Sequence, residues 1–114
     1  MTLAMAMLLL VIGLIWAVGG VVIMKNARAA GDGDAARWVF VGGALTFAAG
    51  LLIAAASKYA AIPVVLLVIQ QVAFHWRQTR ALPEGAPRPG TFHLQIAVMV
   101  AIATVILVAK GVFA

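Results

Sequence analysis

The sequence predicts an all-α integral membrane protein, its four transmembrane helices arranged as two helical hairpins in one antiparallel bundle. Three observations carry that prediction. Hydrophobic residues make up 66% of the 114 positions and charged ones 10%, with a mean hydropathy of +1.16, far from the balance of a soluble domain. Four apolar stretches are expected to supply, each, the length of about 20 residues that a helix needs to cross a bilayer. All three acids, Asp32, Asp34 and Glu84, fall outside those stretches.

The first stretch runs from Leu3 to Met24 without a charge and closes at Lys25. Its leading segment has no Lys or Arg, and the apolar run exceeds the roughly 7–15 residues of a signal-peptide core, so Ala27-Arg28-Ala29 is not read as a cleavage site. The second stretch extends from Trp38 to Ala56, the third from Ala61 to Trp76 and the fourth from Phe92 to Ala109. Between the second and third only Ser57-Lys58-Tyr59 intervenes. One helix through that point would be about 60 Å long at the standard rise, twice the hydrocarbon thickness. The chain must therefore turn between 57 and 62, and Pro63 belongs in the first turn of the next helix, where a missing N–H costs nothing. The expected helices cover about 2–25, 36–57, 61–80 and 91–112 of a single transmembrane domain, 1–114, with loops over about 26–36 and 81–90.

Charge sets the expected orientation. Lys25, Arg28 and Arg37 follow the first helix, and Arg77, Arg80 and Arg88 follow the third, against Lys58 and Lys110 on the other side. The positive-inside rule then makes both loops cytoplasmic and both chain ends periplasmic, in a bacterial inner membrane. Trp38 and Trp76 would lie at one interface and Tyr59 at the other, where amphipathic rings prefer to sit. The net charge of +5 flanks helices and forms no stripe with interleaved aromatics, so anionic headgroups are the expected partner and nucleic acid is not.

Neither loop carries an obvious site. Asp32 and Asp34 lie in a Gly-Asp-Gly-Asp turn with no later acid at calcium-loop spacing, and Pro83, Pro87 and Pro89 with Gly85 and Gly90 describe a semi-rigid connector. With no Cys, thiolate metal sites and thiol nucleophiles are excluded.

Within the bilayer, helices associate through small residues, because lipid gives no hydrophobic reward for contact. The expected packing positions are Gly13 and Ala17 (with Gly20) on the first helix, Gly42, Thr46, Gly50 and Ala54 on the second, and Ala97 and Ala101 on the fourth. The strongly polar side chains at depth belong to the third helix. Gln71, His75 and Gln78, four and three residues apart, share a face, with Gln70 beside it. An unpaired amide in hydrocarbon costs several kcal/mol, so that face is expected to look toward protein or a cavity. His93, opening the fourth helix on the same side, completes the candidate set.

Two imidazoles fall short of the three or four protein ligands usual at zinc, so no cofactor is expected; the one alternative is a metal, haem or chlorin held by His75 and His93. No serine or threonine at depth has a carboxylate and a base beside it, so no enzyme is expected. The chain also lacks a membrane-embedded acid, the residue type on which ion-coupled transport most often depends. Two functions are consistent with this inventory. One is a non-catalytic accessory, assembly or stabilising subunit of a larger respiratory, photosynthetic or ATP-synthase-type complex, with other membrane subunits or itself as partner. The other is a small homo-oligomeric transporter or channel with a polar path along the third helix.

Overall fold

The computed structural model describes residues 2–27, 33–83, 85, 90 and 92–113, without the side chains of 34, 35, 81 and 93. The described residues form four α-helices and no strand: α1 (Leu3–Lys25), α2 (Asp34–Ala54), α3 (Ala61–Ala81) and α4 (Phe92–Ala109). Three segments, Leu3–Lys25, Ala36–Ala54 and Lys58–Arg80, are long and apolar enough to cross a membrane. Much of both connecting segments, including Arg28, Asp32, Glu84, Pro87, Arg88 and Pro89, lies outside the described residues.

Local chemistry explains the boundaries. Thr2 starts α1 by accepting a hydrogen bond from the Met5 amide at its Oγ1, 3.2 Å away, which satisfies one of the free N–H groups of a helix N-terminus. The expected turn between the second and third helices is present. Ser57 Oγ accepts from the Tyr59 amide, a single 3-10 turn covers Lys58–Ala60, and Pro63 is the third residue of α3.

Two helices end earlier than the expected bounds, for the same reason. At the end of α2 the Ala56 N–H bonds to Ile53 O and the Ser57 N–H to Leu52 O; at the end of α4 the Gly111 N–H bonds to Val108 O and the Val112 N–H to Leu107 O. Both are Schellman terminations, in which one residue with positive φ lets the chain fold back onto the last carbonyls. Gly111 supplies it at φ +75°, whereas Ala56 does so at φ +52° despite its Cβ. The helices expected to reach 57 and 112 therefore stop at Ala54 and Ala109. The second turn also sends Phe113 back into the core, where it joins Leu9, Ala49, Ile53, Ala60 and Val64.

The closest seam joins α1 to α2. A methyl group on Gly13 would overlap Gly50 O and Ala54 N, one on Gly20 would come within 2.6 Å of Gly43 O, and one on Gly50 would overlap Ala17 N. Residue numbers rise along α1 as they fall along α2, so the pair is an antiparallel hairpin in backbone-to-backbone contact. α3 lies against both α2 and α4, while α1 and α4 form no comparable seam among the described residues.

The expected row Gly42, Thr46, Gly50 and Ala54 does not lie on one seam. Gly50 and Ala54 meet α1, but Gly42 faces the glutamines of α3 and Thr46 lines a cavity. Each step of four residues turns about 40° past a full helical turn, so four such positions precess around the helix. The α1 seam instead follows Gly43, Phe47, Gly50 and Ala54, whose steps of four, three and four stay on one side. Phe47 contributes its backbone to that seam, close to Gly20.

Candidate functional site

A cavity of about 420 Å³ lies among the helices on the Trp38 side of the Phe113 cluster. All four helices line it: Trp16 from α1, Gly42 and Thr46 from α2, Gln71 and Phe74 from α3, and Ala97 from α4. Its wall is mainly apolar, and the polar groups come from one corner where α2 meets α3.

That corner is built on a backbone carbonyl. Gln70, only 7% exposed, donates from Nε2 to Trp38 O at 2.6 Å. The neighbouring Gln71 donates from Nε2 to Gln70 Oε1 at 2.9 Å. Trp38 O occupies the helical register whose intrahelical donor is the Gly42 N–H, so it accepts from the side as well as along the helix. Gly42 makes this approach possible: a Cβ there would stand 3.1 Å from both Gln70 Oε1 and Gln71 Nε2. One turn on, Thr46 donates its hydroxyl proton to Gly42 O at 2.7 Å, the local back-bond open to a threonine inside a helix.

Aromatic contacts continue the corner toward the end of the bundle. Trp38 and Phe74 stack with centroids 5.8 Å apart and planes 7° from parallel, and the Arg77 guanidinium lies 5.4 Å from the Trp38 ring. Phe74 and Arg77 are three residues apart on α3 and meet the same ring from one face of the helix. Arg80 stands over Trp76 at 5.7 Å, which leaves Trp76 63% exposed.

The predicted polar set is thus distributed. Gln70 and Gln71 form one hydrogen-bonded unit; His75 is half-buried a turn farther on, and Gln78 is exposed. The His93 side chain is outside the described residues, so the possible His75–His93 ligand pair is not described. Among the described residues no group of three or more His, Cys, Asp or Glu side chains is placed to hold a metal. Of the packing positions, Gly13, Ala17, Gly50 and Ala54 lie at the α1–α2 seam, Ala97 lines the cavity and Ala101 packs beside the Phe113 cluster.

Trp16, Phe74 and the Trp38 carbonyl went unnoticed in the sequence. The first two read there as ordinary apolar positions. A backbone carbonyl gives no signal of its own, and only the glycine four residues after Trp38 hinted at it.

Among the described residues the chain is all-helical, with three helices of membrane-spanning length and a mainly apolar chamber between the helices. No family model matches the chain, and neither a curated protein nor a solved structure matches it.

Proposed function

We propose that this is a multi-pass protein of a bacterial cytoplasmic membrane, with both loops in the cytoplasm and both ends in the periplasm. In this reading it serves as a non-catalytic accessory, assembly or stabilising subunit of a larger membrane complex of the respiratory, photosynthetic or ATP-synthase kind. The observation that carries it is the one-sided attachment of α1. Its glycine face is spent on α2, while Met7, Leu8, Val11, Leu14, Ile15 and Val18 remain exposed. Only 22% of its most apolar window is buried, which leaves most of its circumference for lipid or for another subunit's helices.

Extraction in mild detergent followed by native mass measurement tests the reading. A large partner in fixed stoichiometry is the expected result. A homo-dimer or homo-tetramer with nothing else attached would overturn it.

The cavity favours a second reading, a small homo-oligomeric transporter or channel. Gln71 and Thr46 bring polar groups into a chamber shared by all four helices, and a polar route of amides and carbonyls needs no acid. Liposome flux that persists unchanged in a Gln71→Leu, His75→Ala double variant would rule this route out.

A further inference from the structure

The hydrogen-bonded unit beside the cavity has a direction. Trp38 O can only accept, so it draws the Gln70 amide nitrogen toward itself and turns Gln70 Oε1 toward Gln71. Gln70 Oε1 also only accepts, so it draws the Gln71 nitrogen and turns Gln71 Oε1 away from the pair. That oxygen ends the series with no hydrogen-bond partner among the described residues, on a side chain that lines the cavity. Thr46 reaches a similar state, because its one proton is spent on Gly42 O and only lone pairs remain for a ligand.

We propose that the cavity binds an apolar molecule bearing one neutral hydroxyl, whose proton is donated to Gln71 Oε1 with Thr46 Oγ1 as the neighbouring acceptor. The volume of about 420 Å³ suits such a molecule, since small-molecule pockets run from roughly 300 to 1,000 Å³. Trp16, Leu67, Phe74 and Ile96 supply the apolar wall for its body. The head is neutral because the lining includes no carboxylate, and a buried charge without a counter-charge is strongly disfavoured. A long-chain or isoprenoid alcohol has this chemistry. It would come laterally from the lipid, between α1 and α4, where no close seam shuts the chamber. This access route rests on the membrane reading given above; the donor–acceptor argument does not.

The test uses the full chain in lipid nanodiscs and a diazirine-bearing octanol as photolabel, with labelled residues mapped by peptide mass. Saturable labelling around Trp16, Phe74 or Ile96 is expected, displaced by 1-octanol and not by octane or methyl octyl ether. Gln71→Leu should weaken saturable labelling by about fivefold to tenfold, the size of one lost neutral hydrogen bond, and Thr46→Val, which removes only the neighbouring acceptor, should weaken it less. Helix content and melting are followed in parallel, and Gln71→Met, closer in length to the native side chain and without the acceptor, carries the test if Gln71→Leu fails to fold.

Displacement by the ether as effective as by the alcohol would overturn the proposal, as would octylammonium outcompeting octanol. So would labelling that never saturates and runs along Met7 and Met99, both exposed on the outer surface. Recovery of the chain as a soluble protein without detergent would instead overturn the membrane reading, a result distinct from failed labelling in nanodiscs.

Discussion

Gln70 reaches from α3 to the main-chain carbonyl of Trp38, 32 residues earlier, and the 2.6 Å bond between them ties α2 to α3 without involving a side chain of α2. A helix that offers a carbonyl sideways usually does so beside a small residue, and here Gly42 leaves the space. The bond therefore joins a packing decision on α2 to a polar decision on α3.

Gln70→Leu should destabilise the protein by about 1 kcal/mol, the range found for interhelical hydrogen bonds in membranes. Part of that loss comes from stranding the Gln71 amide, so the Gln70→Leu, Gln71→Leu double variant should lose less than the sum of the singles. Unfolding in a denaturing-detergent titration measures all three, and strict additivity would count against the relay.

The adjacent glycines Gly19 and Gly20 should respond oppositely to alanine. A Cβ on Gly19 meets nothing within 4 Å, whereas one on Gly20 strikes the backbone of Phe47 and Gly43. Gly19→Ala should be neutral or stabilising by up to about 1 kcal/mol through helix propensity, and Gly20→Ala should cost about 2 kcal/mol by forcing α1 from α2. Thermal stability in detergent separates them, and equal effects would contradict the seam.

Gly50 and Leu51 make the same contrast on α2. Leu51 is 44% exposed, while Gly50 lies against Gly13 and Ala17. Gly50→Leu should therefore impair hairpin assembly far more than Leu51→Ala, read as retained helix pairing by cysteine crosslinking across the seam. A reversed order would place the seam elsewhere.

Ala56→Gly should stabilise the turn after α2. Ala56 holds φ at +52°, a left-handed conformation that costs an L-residue roughly 1–2 kcal/mol and glycine almost nothing. A gain of about 1 kcal/mol is expected, opposite to the usual cost of glycine at the end of an apolar segment. A lower melting temperature would show that the turn is not the Schellman form.

Phe113→Ala should cost about 3 kcal/mol, because Phe113 is 5% exposed and fills the cluster among Leu9, Ile53 and Val64. Gly111→Ala should reproduce part of this loss by disfavouring the φ of +75° that turns Phe113 inward. Tm values of the two variants and their combination are the check, with a sub-additive pair expected.

Much of the helical arrangement was legible because hydropathy and backbone constraints are properties of short segments. The turn at 57–62 followed from segment length and from the one helical position that tolerates Pro63. The ends of α2 and α4 were less legible, since a left-handed alanine has no sequence mark and Gly111 is one glycine among 11. At the candidate site, the sequence singled out Gln70 and Gln71 as costly groups that need partners. It did not disclose that the partner is Trp38 O or that His75 and Gln78 lie progressively nearer the surface.

Residue order alone calls for four apolar helical segments, a hinge before Pro63 and a small set of polar groups that must be satisfied. It is the packing of the helices that brings Gly43, rather than Gly42, against α1, lets Gly42 make room for two glutamines, and leaves Gln71 facing a cavity. Residue spacing defines the faces of a helix, while the neighbour each face meets depends on how the other helices lie against it. A shift of one residue turns a position by about 100°, enough to exchange a backbone seam for a polar chamber.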